Sequence, residues 1–319
     1  MDRISDKVSI VIPAYKEGKH VFTSLQLISS HIASVCDEYE IVVVDDGSPD
    51  DTWEQLLLST KVIRHLKIIR LSRNFGKELA LCAGLENANG DAVIIMDADM
   101  QHPPHLIPQL IATWKTSNAD IVECVKRKRG TETLKNKLGA KLFYGIISKL
   151  TGYKLEGASD FKLLDKKVLL AWSSMAERNT FFRGMVAWLG FQKEQIEFDV
   201  EERVEGSTSW SIFSLTKLAI QAVVSFSTFP LRIVSIIGVI TFLASIILGI
   251  QTLHHKIIGS AVTGFTTVIL LQLIIASIIM VSLGTLGEYI AAIYNEVKGR
   301  PRYLISQRVQ HENAKVYSN

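Results

Sequence analysis

Two long stretches without a charged side chain constrain this sequence more than any other feature. Ile233 to Leu253 runs for 21 residues and Ile257 to Gly287 for 31. Either exceeds the roughly 20 apolar residues that cross a hydrocarbon core of about 30 Å. Amphipathic helices of a soluble domain alternate with polar positions, and these runs do not. They account for a mean hydropathy of +0.22 in a chain that is still 21% charged. The linker around His254, His255 and Lys256 is too short for a domain, so the pair predicts a transmembrane hairpin, about residues 232–253 and 261–287. Arg232 precedes the first run, and Lys298, Arg300 and Arg302 follow the second. The positive-inside rule puts those ends, and both termini, in the cytoplasm. The stretch from Met1 to Lys7 is polar and lacks the apolar core of a cleavable leader, so the residues before Arg232 are expected to stay cytoplasmic.

Those preceding residues carry a different pattern. Val8–Ile12, Glu40–Val44, Leu66–Leu71, Ala92–Met96 and Ile121–Val125 read as short strands. Helical spacing separates them over Val21–Val35, Thr52–Ser59, Lys77–Ala88 and Leu106–Thr116. Alternation of this kind predicts an α/β domain: a mostly parallel sheet with helices on both faces. Ligands of such sheets bind beyond the carboxyl ends of the strands. Three cysteines (Cys36, Cys82, Cys124) without a C-x-x-C spacing are expected to be reduced thiols. A net charge of +3 gives no reason to expect a nucleic-acid partner. A basic run, Lys126 to Arg129, is better suited to anionic lipid headgroups. Amphipathic helices are expected over Leu134–Leu150 and Trp210–Phe226, the second lying in the membrane interface. From Gln307 the polar tail is expected to fray.

The acidic residues fall where ligands of such a sheet would sit. Asp97 and Asp99 flank Ala98 at a strand end, where an extended backbone would put both carboxylates on one side. Two close carboxylates repel unless a cation neutralises them, and oxygen ligands with open positions suit Mg²⁺ or Mn²⁺ holding a diphosphate. Asp45-Asp46-Gly47-Ser48 ends an earlier strand, where carboxylates can accept hydrogen bonds from a base or ribose while Ser48 or Asp50 caps the next helix. Pro13, Tyr15 and Glu17 follow the first strand and are expected to complete the pocket. His102 is expected to be structural.

These motifs, in this order, resemble glycosyltransferase family 2. The resemblance extends through Arg73-Asn74-Phe75-Gly76-Lys77, Asp97-Ala98-Asp99-Met100-Gln101-His102-Pro103-Pro104 and Ser159-Asp160-Phe161-Lys162-Leu163-Leu164-Asp165. It continues through Glu177-Arg178-Asn179, Arg183-Gly184, Arg203 to Ser209, and Tyr294 to Pro301. Ser159 stands where the family often has Gly, and Lys162 where it often has Arg. The pattern is closest to the polyprenyl-phosphate glycosyltransferase branch, of the bactoprenol glucosyltransferase and dolichyl-phosphate mannose synthase type. The Q-x-x-R-W motif of processive polysaccharide synthases is absent from the sequence.

The resemblance implies a GT-A nucleotide-sugar domain over residues 1–206, an interfacial helix over 207–230, the hairpin over 231–287 and a cytoplasmic tail over 288–319. It implies inverting transfer of one hexose, glucose from UDP-glucose, to undecaprenyl phosphate at the cytoplasmic membrane, feeding O-antigen or other cell-envelope glycosylation. GDP-mannose, a UDP-N-acetylhexosamine or an amino-arabinose nucleotide are alternative donors. A processive synthase and a non-catalytic membrane scaffold are the remaining alternatives. Asp160 and Asp99 are the implied catalytic residues. Pro13, Tyr15, Glu17, Asp45, Asp46, Lys77, Asp97, Ala98 and Asp99 are expected to bind the nucleotide sugar, with Mg²⁺ or Mn²⁺ on Asp97 and Asp99. Arg178, Arg183, Arg203 and Ser207 are expected around the diphosphate and the acceptor phosphate. Asp160 is expected to position the acceptor as much as to remove a proton, because a phosphate monoester is already mostly ionised near neutrality. A separate flippase and a downstream glycosyltransferase are expected partners. Small residues in the hairpin (Gly238, Ala244, Ser245, Gly249, Ala276, Ser277, Gly284) suit a homo-oligomer.

Overall fold

The computed structural model describes residues 3–126, 159–175, 177–178, 180–198, 227–258, 264–310 and 313–317. The expected helices over 134–150 and 210–226, and residues 127–129, 203 and 207, lie outside the described residues. The chain forms two compact units. One holds Met1–Ser148, Tyr153–Ser209 and Arg300–Asn319, and the other Lys149–Gly152 and Trp210–Gly299.

The first unit is built on β1 (Val8–Ala14), β2 (Tyr39–Asp45), β3 (Leu66–Leu71), β4 (Ala92–Ile95), β5 (Ile121–Lys126), β6 (Lys162–Asp165), β7 (Lys193–Phe198), β8 (Ile305–Gln310) and β9 (Asn313–Tyr317). They form one sheet in the order β7-β5-β6-β4-β1-β2-β3-β8-β9. The central strands β4, β1, β2 and β3 are parallel. Strand β6 runs against β4 and β5, and β8 against β3 and β9, so the sheet is mostly parallel with two reversed strands.

Period-two alternation covers both faces of the sheet. Val8, Ile10 and Ile12 of β1, with Ile41 and Val43 of β2, join one core with Val21, Leu25, Ile28 and Ile32 of α1 (Val21–Ala33). That core also takes Trp53 and Leu56 of α2 (Thr52–Val62), and Ile107, Leu110 and Ile111 of α4 (Ile107–Thr116). The alternate residues Val11 and Val44 meet α3 (Lys77–Glu86) at Gly84. A Cβ on Gly84 would lie 2.3 Å from Val11 Cγ1. Two shorter helices, α5 (Lys166–Ser173) and α6 (Phe182–Trp188), complete this unit. Cys36, Cys82 and Cys124 are buried free thiols, and burial pushes each up to about 12.

Several expectations change here. Strand β1 continues through Pro13 to Ala14 instead of stopping before the proline. Pairing with β4 ends at Val11, so the proline's missing N–H lies where the ladder has already ended. Lys162 is a sheet residue of β6, buried and 2.8 Å from Glu123 on neighbouring β5. The tail is not frayed at Gln307: Arg308 and Val309 pair with Ile69 and Ile68 of β3. That ladder occupies the outer edge of β3 and buries Val309.

In the second unit, α7 (Phe229–Ile257) and α8 (Phe265–Val297) are long and apolar enough to cross a membrane, with mean hydropathies of 2.7 and 1.9 in their spans. Neither span is buried within the protein. His254, His255 and Lys256 belong to the last turn of α7 and not to a linker, and basic groups there complement the helix dipole. The second helix continues past Gly287 through Glu288 and Glu296. Tyr289 Oη donates to the Ser227 carbonyl at 2.6 Å.

Candidate active site

An open cavity of about 260 Å³ lies at the carboxyl ends of β1, β2 and β4. The end of β1 contributes Pro13 and the loop after it Tyr15 and Glu17, and the turn after β2 contributes Asp46. Asn74, Gly76, Lys77 and Ala80 enter from the loop after β3 and from α3. Asp97, Ala98 and Asp99 close it from the loop after β4.

The turns around the cavity are cross-braced. Lys16, at φ 60°, donates its N–H to Ser48 Oγ at 3.0 Å, and Glu17 donates to Thr52 Oγ1 at 2.9 Å. Gly47 has φ +64°, and a Cβ there would lie 2.5 Å from the backbone of Arg73, so only glycine fits. Asp50 Oδ1 accepts from Thr52 Oγ1 at 2.7 Å, beside the first turn of α2, while Ser48 serves the β1 loop instead.

The two acidic residues at the end of β2 separate into different roles. Asp45 is fully buried and lies outside the cavity lining. Its Oδ1 accepts from Ser48 N at 3.0 Å and its Oδ2 faces Arg70 Nε at 3.3 Å, so it holds the turn. Asp46 lines the cavity and accepts the N–H groups of Phe75 and Gly76 at 2.7 and 2.9 Å. It thereby ties the β2 turn to the loop carrying Lys77.

Strand β4 ends at Ile95, so the period-two argument does not reach Asp97-Ala98-Asp99. These residues sit in a turn that continues through Met100 at φ 61°, and Ala98 lines the same cavity as its neighbours. Asp99 Oδ1 accepts from Gln101 N at 3.1 Å. His102 is buried, stacks on Phe161 with ring centroids 5.0 Å apart, and accepts the Asp97 N–H on Nδ1 at 2.8 Å. Burial lowers its pKa, so the ring is a neutral brace for the Asp97 turn. Ser159 Oγ lies 3.5 Å from His102 Nε2 and accepts from Phe161 N.

A charged cluster adjoins the turn. Lys77 Nζ lies 2.6 Å from Asp97 Oδ1 and 2.8 Å from Asp160 Oδ2. Arg183 of α6 grips Asp160 with Nε on Oδ1 at 2.7 Å and one terminal nitrogen on Oδ2 at 2.9 Å. Burial opposes ionisation of Asp160, but Arg183 and then Lys77 outweigh it and hold the carboxyl well below the usual range. Glu17 is pushed up to about 7, first by burial and then by Asp99 and Asp97. Glu78 is also pushed up to about 7, chiefly by burial, and accepts Phe182 N–H at 2.7 Å. Arg178 donates to the carbonyl of Arg300. Arg203 and Ser207 lie outside the described residues.

The sequence reading assigned no role to Asn74, Gly76 or Glu78, while His102 is structural as expected. Asn74 and Gly76 belong to the segment that includes Lys77, and motif position was their signal. No local pattern marked Glu78 as a brace for α6.

Among the described residues no group of three or more His, Cys, Asp or Glu side chains could by itself enclose a metal ion. Asp97 and Asp99 line the same cavity as carboxylate oxygen donors and fit a cation that takes its remaining ligands from a diphosphate.

Fold and site together define a GT-A protein: an α/β sheet whose strand ends hold an aspartate-rich turn beside a paired cation cluster. Residues 9–172 match the model of glycosyl transferase family 2, and the chain belongs to that family. It is 38% identical over 94% of its length to an uncharacterized glycosyltransferase of Synechocystis, covering 95% of that protein. It is 36% identical to a prophage bactoprenol glucosyl transferase homolog of Escherichia coli, over 94% of this chain and 99% of that one. Among solved structures, glucosyl-3-phosphoglycerate synthase from Mycobacterium tuberculosis, in complex with Mn²⁺, UDP-glucose and phosphoglyceric acid, aligns with TM-score 0.48. The sequence identity is 19%, over 69% of this chain and 78% of that one.

Proposed function

We propose that this enzyme transfers a single glucose from UDP-glucose, with inversion, to a polyprenyl phosphate such as undecaprenyl phosphate at the cytoplasmic face of a membrane. The observation that carries the reading is that Asp97, Asp99 and Lys77 line one cavity and that Lys77 joins them to Asp160 and Arg183 beside it. Similarity to the bactoprenol glucosyl transferase homolog supports the choice of sugar and lipid. The helices α7 and α8 would anchor the protein and hold the site near a phosphate whose tail stays in the bilayer.

Pro13, Tyr15, Glu17, Asp46 and Ala98 would shape the nucleotide-sugar pocket, and Asp97 and Asp99 would hold Mg²⁺ or Mn²⁺. The bound cation would neutralise charge on the departing diphosphate. The acceptor oxygen attacks the anomeric carbon as the bond to the nucleoside diphosphate breaks, and an ionised phosphate has no proton to surrender. Asp160 is therefore proposed as the anchor of Lys77 and Arg183, which face phosphate charge, and not as a strong base. Arg178, Arg203 and Ser207 are proposed as further phosphate contacts. The lipid-linked sugar would require a flippase and a second glycosyltransferase to be used on the far side.

The test incubates full-length protein and undecaprenyl phosphate with Mg²⁺ or Mn²⁺ and a panel of radiolabelled nucleotide sugars. UDP-glucose is expected to label the lipid most strongly; failure of every donor under both metals would refute the reading. Asp99→Ala is expected to lower transfer by about 10³-fold while leaving membrane insertion intact.

A further inference from the structure

We propose that Lys77 is a built-in counter-cation of Asp97, and that a divalent cation gains Asp97 only when an incoming diphosphate draws the Lys77 ammonium away. This rests on reading Asp97 and Asp99 as the holders of a divalent cation. It adds that the protein itself competes with that cation and makes its entry depend on the nucleotide.

The argument lies in how unequally Lys77 serves its two partners. Asp160 is already neutralised by the two bonds from Arg183. Among the described residues Asp97 has no such second cation: its Oδ1 is paired with Lys77 Nζ at 2.6 Å. Its Oδ2 lies 3.8 Å from Nε2 of His102. Removing the ammonium thus leaves Asp160 paired with Arg183, and Asp97 with no lysine or arginine partner among the described residues. An ammonium and a divalent cation on one carboxylate repel each other. Lys77 can leave because its side chain is 43% exposed on a flexible stem, whereas Arg183 is fixed by its fork. A diphosphate offers the ammonium a replacement anion next to its resting place. Gly76, at φ +97°, caps the start of α3 next to Lys77, and no atom of the described residues lies within 4 Å of where its Cβ would be.

The experiment measures Mn²⁺ binding to the full-length protein in detergent, by electron paramagnetic resonance of the free ion, with and without UDP. Wild type is expected to bind Mn²⁺ weakly alone and tightly with UDP. Lys77→Gln is expected to tighten nucleotide-free binding by about tenfold or more, while Lys77→Arg stays near wild type. Lys61→Gln, which removes an exposed charge on α2, is expected to change nothing. Asp97→Asn added to Lys77→Gln is expected to abolish the gain. The proposal is overturned if Lys77→Gln leaves nucleotide-free binding unchanged or weaker, or if Lys77→Arg tightens it equally. It also fails, with no variant needed, if wild type binds Mn²⁺ as tightly without UDP as with it. None of these readings uses a sugar donor. Failure of the donor panel alongside tighter binding in Lys77→Gln would refute the proposed function and leave the role of Lys77 standing.

Discussion

Asp160 shows how neighbours decide what a carboxylate can do. With Arg183 on both oxygens and Lys77 on one, it is a poor proton acceptor and a good anchor. Asp160→Asn is expected to lower kcat/KM by about 10²-fold, mostly through a raised KM for the lipid phosphate. The acid limb of the pH–rate profile should keep its position; loss of that limb would restore Asp160 as a base. Glu78 gives a second test. Its carboxyl, raised to about 7 by burial, favours the folded state when protonated. That contribution is full below 4.5 and is lost as pH rises through about 7. Between pH 5.5 and 8.5 wild type should therefore lose more stability than Glu78→Gln, by on the order of 1 kcal/mol after allowance for partial solvent exposure. Thermal melts at both pH values check this.

At the scale of elements, the strands and helices from Val8 to Val125 were legible because each strand is a short apolar run bounded by turn residues. The strands after them were not. Strand β6 has only four residues and carries a buried lysine, made tolerable by Glu123 across the ladder. Strand β7 begins Lys193-Glu194-Gln195 with all three exposed, and β8 reads Ile305-Ser306-Gln307-Arg308. Such polar strands acquire their structure from pairing and not from local propensity. The site divides the same way. The acidic turns were legible from spacing at strand ends, whereas the division of labour between Asp45 and Asp46 depends on Arg70 and on the N–H groups of Phe75 and Gly76, which only the tertiary fold supplies. The contact of α3 with β1 gives a prediction at this scale. Gly84→Ala would push a methyl into Val11, and the expected cost is about 1–3 kcal/mol, read as a lower thermal midpoint. An unchanged midpoint would mean that α3 packs more loosely than described.

For the whole molecule, the apolar runs announced two long helices, but the return of the chain to its sheet was not announced. Ser72 N–H donates to the Leu304 carbonyl at 2.9 Å, Ser306 Oγ to the Arg70 carbonyl at 3.1 Å, and Tyr303 Oη bonds Glu86. Deleting residues 300–319 is expected to expose the edge of β3 and the contacts of Val309. The truncated protein should melt at least a few degrees lower and aggregate on size exclusion, even though every cavity residue remains.

The pairing of β8 with β3 also sets an order of events during synthesis. Strand β3 leaves the ribosome more than two hundred residues before its outer neighbour. Between them come both long apolar helices, which are synthesised before β8. The sheet thus reaches its final width only after the would-be anchor has been made. A polypeptide released early would have the cavity residues and the apolar helices but a bare β3 edge, open to pairing with another chain and marking the product as unfinished.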